Sequence, residues 1–468
     1  MKIYSFPKGG ISFNDSYAPV KQDSVLSFLP AISIIVLKSF SGDSALPIVK
    51  TGTHVEEGML IARRQGSGSA NIHSPVPGDV IQTINWKLAE NFTSSALVIR
   101  LAGKFDRLGR IEQARNSDDF SQFQMRRILD EAGIVEMDGD GRPLCDIFSE
   151  YDSAQNNFTL LLRCVFDDPW LSADRVLCKE RLDAVALGCI LTAKASGAGK
   201  ICIAVAKDDE DFANILLNEI TVGTGSMGIP VETVLVSSKY PQNSDREIEA
   251  ALRAEDKHPR AGIKLGQLLV LGPATYAAVY DAIIFGKPIL DRYVAVGGNA
   301  VRNPSVLKLR IGSRIDDVFK ECGGFIKQPE SFVMGSPLFG RRVAGLNEPI
   351  LKTTSMVYAN AVTIGGKIVK KIGSVYKRYQ NTASWLSNIM PEKRCISCGE
   401  CRRICPASLD PEDLYKRRRG GKHCADLIPL LIRCNGCGCC ESVCPSSLPL
   451  CTALVSSTIT DKEDADAV

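Results

Sequence analysis

Two copies of one cysteine spacing near the C-terminal end constrain this chain more than any other feature. The copies are Cys395-x2-Cys398-x2-Cys401-x3-Cys405-Pro406 and Cys434-x2-Cys437-x2-Cys440-x3-Cys444-Pro445. A tight loop with this spacing presents three thiolates to three irons of one [4Fe–4S] cube, and the fourth cysteine of each run ligates the other cube. The proline that follows restricts the backbone and turns the chain away. The spacing therefore predicts two [4Fe–4S] clusters.

The eight cysteines divide into two predicted ligand sets. Because the fourth cysteine of each run crosses over, one set is Cys395, Cys398, Cys401 and Cys444, and the other is Cys405, Cys434, Cys437 and Cys440. Cys439 is an alternative to Cys440, although only Cys440 preserves the spacing. Structural zinc on the same thiolates is the alternative metal, since soft sulfur ligands suit both. Zinc sites usually need only two cysteine pairs, so the duplicated pattern favours clusters.

The composition places these motifs in a soluble, multidomain protein of a reducing compartment. The 468 residues are 45% hydrophobic and 23% charged with a net charge of +3, which excludes wholesale disorder and an overall electrostatic nucleic-acid binder. We find no secretory signal after Met1, and the most apolar stretch, residues 25–37, is too short to span a bilayer. In such a cytosolic chain, clustered cysteines bind metal more often than they form disulfides.

The pattern of apolar residues and glycines changes along the chain and indicates several domains. Residues 30–100 contain short strands punctuated by glycine, which is typical of a small β-barrel. Between residues 115 and 290, helices and strands alternate, for example a helix over 184–195 and a buried strand over 201–205. This alternation predicts a parallel α/β sheet. Residues 291–365 return to strand character.

Basic residues are concentrated around the cysteine motifs. Between Lys367 and Arg433 there are 15 Lys and Arg residues against six Asp and Glu residues. A solvated basic face is one interpretation; docking of an acidic electron carrier or of an anionic membrane surface is the other, and we favour docking. No aromatic platform accompanies the charge, so nucleic acid is not an expected partner.

Several shorter segments, taken with the cysteine motif, resemble the C subunit of the Rnf complex, a membrane-bound, ion-pumping ferredoxin:NAD oxidoreductase. The segments are Gly9-Gly10-Ile11, residues 30–100, Tyr240-Pro241-Gln242, residues 296–304 and residues 335–340. Each short motif is weakly specific, and their order over more than 400 residues carries the resemblance.

The resemblance implies a multidomain α+β fold with four domains and a tail. These are a barrel-sandwich β domain (1–112), an α/β Rossmann-like domain related to FMN/NADH-binding domains (113–288), a β-grasp (SLBB) domain (289–365), a helical ferredoxin domain with two [4Fe–4S] clusters (366–456) and an acidic tail (457–468).

The resemblance also implies a nucleotide motif in the α/β domain, and this chain departs from it. The family's glycine-rich loop cradles phosphate and closes with a lysine, and a second segment supplies acidic groups. Here Gly139, Gly141 and Asp168 are the predicted remnant of the cofactor site. Carboxylates stand where small residues are expected (Glu136, Asp138, Asp140), and Ile147 stands where the lysine is expected. Two interpretations of this domain are open: it binds FMN, or it is degenerate and serves as a scaffold. We favour the scaffold, because a carboxylate about 5 Å from a phosphate repels it by roughly 3 kcal/mol.

The resemblance implies a peripheral electron-transfer subunit on the cytoplasmic side of the bacterial inner membrane, without a transmembrane segment of its own. Its expected partners are the other Rnf-type membrane subunits and a soluble carrier, either ferredoxin, flavodoxin or NADH. We expect no catalytic residue in this chain and little or no NADH dehydrogenase activity of its own. The alternative is a soluble flavin/iron–sulfur reductase related to cobalamin reductases.

Overall fold

The structure is a computed structural model that describes most of the chain. The described residues are 3–5, 8–12, 19, 24–26, 28–38, 43–89, 92–103, 113–154, 157–225, 228–253, 267–338, 340–343, 345–361, 394–419, 427–431, 433–446, 448–451 and 454. Within them, no helix combines the length and the apolar character needed to cross a bilayer. The acidic tail at 457–468 and much of the predicted basic stretch lie outside the described residues.

The N-terminal part is built from short strands and one long hairpin. In chain order the strands are β1 (Ile3–Tyr4), β2 (Ser24–Leu26), β3 (Ile32–Val36), β4 (Leu46–Pro47), β5 (His54–Val55), β6 (Leu60–Arg63), β7 (Ile72–His73), β8 (Gly78–Ala89) and β9 (Phe92–Leu101). One antiparallel sheet has the order β3-β9-β8-β5 and a second has the order β4-β6-β7. Ile35, Val55, Ile61 and Leu97 belong to one buried core shared by the two sheets. The predicted small β domain is therefore present.

The middle of the chain alternates helices and strands. Its elements are α1 (Gln122–Glu131), α2 (Leu144–Tyr151), β10 (Phe158–Cys164), α3 (Ala173–Glu180), α4 (Leu182–Ser196), β11 (Lys200–Ala206), α5 (Glu210–Thr224), β12 (Val231–Val236), α6 (Asp245–Arg253), β13 (Gln267–Leu271) and α7 (Pro273–Phe285). The sheet has the order β1-β12-β11-β10-β13, and every pairing in it is parallel. β10 and β11 are buried at nearly every position, as expected for central strands covered by helices. The predicted parallel α/β sheet is confirmed.

Close helix contact holds this α/β unit together. Gly188 on α4 faces α7, and a Cβ added to Gly188 would lie 2.0 Å from the carbonyl oxygen of Tyr276. Only glycine lets the two helices approach this closely. α1 begins at a capping box, in which the Ser121 hydroxyl accepts from the Gln124 N–H and the Gln124 side chain accepts from the Ser121 N–H.

The next unit, called the sheet unit below, is a mixed sheet with one helix. Its elements are β14 (Asp291–Gly297), β15 (Ser305–Arg310), α8 (Ile315–Glu321), β16 (Ser331–Met334), β17 (Arg341–Val343) and β18 (Met356–Asn360). The sheet order is β17-β16-β18-β14-β15-β2. Val318 and Phe319 on α8 pack into the same core as Val294 and Leu307 of the sheet.

The first two strands of the chain pair with strands of other units, and the predicted boundaries of the 1–112 domain stay a prediction. β1 pairs in parallel with β12, with Ile3 opposite Leu235, and β2 pairs in parallel with β15. These strands are two and three residues long, and their partners lie more than 200 residues away. Apolar periodicity cannot identify such short strands, so no pattern in the sequence pointed to this pairing.

The described part of the C-terminal region, residues 394–454, is called the cysteine-rich segment below. It contains the short helices α9 (Glu400–Ile404), α10 (Pro411–Arg419), α11 (Ile428–Leu431) and α12 (Cys439–Ser442). Two small cores fill it. One includes Cys401, Tyr415 and Cys440, and the other includes Cys405 and Leu431.

Candidate iron–sulfur and nucleotide sites

The two cysteine motifs form two loops that have the same backbone conformation. In the first copy Ser397 and Gly399 have φ angles of 53° and 73°, and in the second copy Gly436 and Gly438 have φ angles of 69° and 75°. Each loop thus turns through the left-handed region immediately before and after its second cysteine. Glycine is the residue that adopts this conformation at little cost. The repeat in sequence is therefore also a repeat in backbone conformation.

The first cysteine group consists of Cys395, Cys398, Cys401 and Cys444. All four line one small cavity, together with Tyr415, Leu448 and Leu450 among others. Three of the cysteines come from the first copy and one from the second, which is the crossed arrangement that the spacing predicts. Cys398 is exposed and the neighbouring Ile396 is 66% exposed, so this group lies near the protein surface.

The second cysteine group consists of Cys405, Cys434, Cys437 and Cys440. Burial and the neighbouring Cys437 and Cys434 thiols raise the pKa of Cys405. Burial, followed by the thiols of Cys451 and of the other three members of the group, raises the pKa of Cys440. The four predicted ligands of the other cluster are therefore also close neighbours.

Two further thiols adjoin the second group. A hydrogen bond with Cys439 and burial raise the pKa of Cys437, and Cys439 itself is fully buried. Cys451 is buried beside Cys440, and sequence reasoning did not place it there. Its position outside the repeat gave no signal.

The first cysteine group encloses a volume. In the part of the chain that the structure describes, no three His, Cys, Asp or Glu side chains converge on a position for a single metal ion. A [4Fe–4S] cube takes one thiolate per iron, so its ligands surround a volume. Four cysteines around one cavity with apolar neighbours form such a donor set.

The described basic side chains around the cysteines are mostly paired. Arg402 lies near Asp410, Arg403 near Glu400, Lys416 near Glu412 and Arg417 near Asp413. Exposed pairs of this kind contribute little to stability. The described portion of the predicted basic stretch is thus a mixed, solvated surface. Many of the remaining basic residues lie outside the described residues.

A large cavity of about 550 Å³ lies between the α/β unit and the cysteine-rich segment. Its lining includes Asp168 and Arg163 from the α/β unit, Gly335 from the sheet unit, and Cys434 and Cys437 from the second cysteine group. Asp168 is 2% exposed, and its carboxylate accepts from the Trp170 N–H at 2.9 Å. Burial raises the pKa of Asp168. The structure therefore places this predicted cofactor residue at the cavity wall.

The predicted phosphate loop, residues 132–144, closes on itself, and Asp138 is its one residue that the lining of the cavity includes. Val135 forms a bridge with Pro143, and the Glu136 N–H donates to the Arg142 carbonyl at 2.9 Å. Gly141 lies in this turn with a φ of 72°, a left-handed conformation that favours glycine. A Cβ added to Gly139 would lie 2.6 Å from the Glu136 carboxylate, so Gly139 makes room for that side chain. Neither glycine is among the residues that line the cavity.

Asp138 occupies the position where an anion would be expected. Its carboxylate lies against Gly272, the residue between β13 and α7, where an added Cβ would be 1.9 Å from Asp138 Oδ2. Arg292, with 1% of its side chain exposed, donates to Asp138 Oδ1 at 3.1 Å. The N-terminus of a helix that follows a parallel strand attracts phosphate. The chain's own carboxylate fills that position.

Further carboxylates surround this pair. Burial and then Asp138 raise the pKa of Asp174 to about 7. Burial, followed by Asp245 and Asp138, raises the pKa of Glu136 to about 7. Raised values mean that additional negative charge is unfavourable here, because each group resists ionisation.

The position expected to hold the phosphate-binding lysine is in the hydrophobic core. Ile147 lies on α2, is 5% exposed and packs in the main core of the α/β unit. A charge at this position could not reach the cavity without leaving that core. With the closed loop and the Asp138–Arg292 pair, the residues of this region do not fit a flavin phosphate.

Family models match three parts of the chain. The RnfC barrel sandwich hybrid domain matches residues 5–104, the Nuo51 FMN-binding domain matches residues 129–281, and the SLBB domain matches residues 293–340.

Curated relatives match over most of the chain, and each is the C subunit of an ion-translocating complex. That of the ion-translocating oxidoreductase complex of Rhodobacter capsulatus is 27% identical over 84% of this chain and 71% of that protein. The C subunit of the proton-translocating ferredoxin:NAD(+) oxidoreductase complex of Clostridium ljungdahlii is 26% identical over 88% of this chain and 86% of that protein. The C subunit of the Na(+)-translocating ferredoxin:NAD(+) oxidoreductase complex of Acetobacterium woodii is 25% identical over 89% of this chain and 88% of that protein.

Among solved structures, an NAD+-reducing [NiFe]-hydrogenase aligns with a TM-score of 0.49 at 15% identity, over 73% of this chain and 62% of that chain.

Fold and matches together define a multidomain chain with a barrel-sandwich domain, an α/β domain of the FMN-binding type and an SLBB domain. The chain is a homologue of the C subunit of Rnf-type complexes. The predicted resemblance is confirmed.

Proposed function

We propose that this chain is a peripheral electron-transfer subunit of an Rnf-type, ion-translocating oxidoreductase. In this proposal the first cysteine group binds one [4Fe–4S] cluster and the second group binds the other. The observation that carries the proposal is the meeting of Cys395, Cys398 and Cys401 with Cys444 around one cavity, since this crossed set matches the two-cluster ferredoxin pattern. When bound, such clusters supply one-electron transfer.

The surroundings of the two groups suit such a relay. Tyr415, Leu448 and Leu450 cover the first group and restrict the access of water, while Cys398 remains at the surface. The second group faces the α/β unit across the large cavity. Burial and solvent exposure are among the features by which a protein sets cluster potentials. The two groups therefore offer different environments.

The cluster assignment is tested by exchanging single ligands in anaerobically purified full-length protein. Cys398→Ser is expected to damage mainly the first cluster, and Cys437→Ser mainly the second. Cys145→Ser is the matched control, because Cys145 is a half-buried thiol on α2 that donates to a backbone carbonyl, as a serine hydroxyl also can. Equal iron and EPR signals in all three variants would contradict the proposed ligand sets.

The proposed setting is the cytoplasmic side of a membrane complex. The named relatives are subunits of ion-translocating complexes, and we propose equivalent membrane subunits and a soluble carrier, such as ferredoxin, flavodoxin or NADH, as partners here. Within this proposal the α/β domain is a scaffold, and the chain alone is not an NADH dehydrogenase.

The setting is tested by tagging the chain in its native host and purifying it from detergent-solubilised membranes. Recovery with integral membrane proteins in fixed ratio supports membership of a complex. Recovery only from the soluble fraction, with bound flavin, would instead support a soluble flavin/iron–sulfur reductase.

A further inference from the structure

Three short motifs from distant parts of the chain meet around the second cysteine group. They are Gly9-Gly10-Ile11, Tyr240-Pro241-Gln242 and the segment that begins at Gly335. Resemblance alone assigns them no role. Their contacts with the loops that carry Cys405, Cys434 and Cys437 indicate one.

Tyr240 makes the central contact. Its side chain is 1% exposed, and its hydroxyl donates to the backbone carbonyl of Cys437 at 2.8 Å. The Tyr240 backbone is itself fixed by Ile11, because the Ile11 N–H donates to the Tyr240 carbonyl at 3.0 Å and the Tyr240 N–H donates to the Ile11 carbonyl at 3.1 Å. The first and second motifs thus form one unit that faces a predicted ligand.

The first motif also contacts the loop that carries Cys405. The Gly10 N–H donates to the carbonyl of Ile404 at 2.9 Å. Gly9 has a φ of 78°, and an added Cβ would lie 2.1 Å from the Ile404 carbonyl oxygen. Glycine is required here both by the backbone conformation and by the close approach.

The third motif contacts the other side of the cysteine loop. An added Cβ on Gly438, next to Cys437, would lie 2.6 Å from the carbonyl oxygen of Leu338. Leu338 is held in turn by its N–H, which donates to the Ser336 hydroxyl. The loop is therefore enclosed between the α/β unit and the sheet unit.

The start of α6 adds a charged contact and an amide contact. The Arg246 guanidinium donates to the carbonyl of Cys434 at 3.2 Å. The Asn435 amide donates to Glu247 Oε1 at 2.8 Å and accepts from the Cys437 N–H at 3.1 Å. Most of the loop over 434–438 thus contacts α6 or one of the motifs.

The first cysteine group is held differently. Ser397 donates to Glu412, which also pairs with Lys416, and all three residues belong to the cysteine-rich segment. Among the described residues, the hydrogen bonds from Tyr240 and Arg246 of the α/β unit therefore reach the second group rather than the first.

We infer that Tyr240 and Arg246 are positioning residues of the second cluster, and that the α/β domain holds and tunes this cluster. The inference rests on the proposed function, because it presupposes the cluster. The Tyr240 hydroxyl dipole and the Arg246 guanidinium charge are directed at backbone carbonyls of the ligand loop. They favour the more negative, reduced state, since positive charge near a cluster stabilises the added electron. Both groups therefore raise the reduction potential of the second cluster relative to a protein without them.

The test compares Tyr240→Phe with Tyr151→Phe in full-length, anaerobically purified protein. Tyr151 is the matched control because its hydroxyl also donates to a backbone carbonyl, that of Leu268 at 3.0 Å, within the same α/β unit. In Tyr240→Phe, we expect one of the two midpoint potentials to fall while the other stays. The second cluster is also expected to lose iron to a chelator about fivefold faster, as loss of one hydrogen bond implies. Tyr151→Phe should change neither quantity.

The affected cluster is identified by repeating the titration in a Cys398→Ser background, in which only the second cluster should remain intact. Arg246→Gln is the second variant, and it should lower the same potential if Tyr240→Phe does not fold. Unchanged potentials in both variants, or equal shifts in Tyr151→Phe, would overturn the inference. A wild-type protein without iron–sulfur clusters would instead overturn the proposed function, so the two failures are distinct.

Discussion

The Asp138–Arg292 pair should be a structural requirement of the α/β domain, and Asp138→Asn tests this. The substitution keeps the shape of the side chain and removes its charge. Arg292 has 1% of its side chain exposed and Asp138 has 8%, so the guanidinium would be left buried beside a neutral amide. Removing one partner of a buried pair costs about 3–5 kcal/mol. Asp174, whose pKa is raised to about 7 by burial and by Asp138, would ionise more readily and offset part of the loss. We therefore expect a loss of about 3 kcal/mol in the free energy of unfolding.

For a unit of this size, about 3 kcal/mol corresponds to a fall in Tm of roughly 10 °C. The assay is thermal unfolding of anaerobic protein followed by circular dichroism. Asp140→Asn is the matched control, since Asp140 is an exposed carboxylate of the same loop and surface substitutions usually change stability by less than about 0.5 kcal/mol. Equal melting temperatures for the two variants would refute the claim that the Asp138–Arg292 pair is a structural requirement.

Three further predictions concern the same region. Ile147→Lys should destabilise the domain by about 3 kcal/mol or more, and it should not increase FMN affinity in a fluorescence titration, because it places a charge in the core. The free energy of unfolding should fall from pH 6 to pH 8 by about 1–2 kcal/mol for each of two carboxyl groups, Glu136 and Asp167. Burial chiefly raises the pKa of both groups to about 7, so the folded state holds their protons more strongly than the unfolded state does. Thermal unfolding at the two pH values measures this difference, and Glu136→Gln should reduce it. The isolated chain should reduce ferricyanide with NADH little or not at all, even with excess FMN, and robust turnover with stoichiometric flavin would show that the phosphate loop still functions.

The conformation of the two cysteine loops could be predicted from the sequence because it is local, while the ligand roles of the eight cysteines stay a prediction. Spacing fixes which cysteines share a loop, and the repeated left-handed positions at Ser397 and Gly436 show that both loops follow it. The α/β alternation was also predictable. The expected helix over 184–195 is α4 (Leu182–Ser196), and the expected strand over 201–205 is β11 (Lys200–Ala206). Both segments have strong apolar patterns of sufficient length.

The long-range arrangement could not be predicted, because it depends on contacts between very short segments. Tyr240 and Cys437 are 197 residues apart, and no periodicity links them. The same holds for Asp138 and Arg292, which are 154 residues apart. From the sequence, Asp138 is only an unfavourable carboxylate in a phosphate loop. In the structure it is the partner of a buried arginine, which explains how the domain tolerates the substitution.

The most direct test of the account is the metal content and EPR spectrum of the full-length protein, purified anaerobically from iron-replete cells. The account predicts a brown protein with about eight irons per chain and, after reduction, the EPR signal of two interacting [4Fe–4S] clusters. Stoichiometric zinc in a colourless protein without an EPR signal would contradict it.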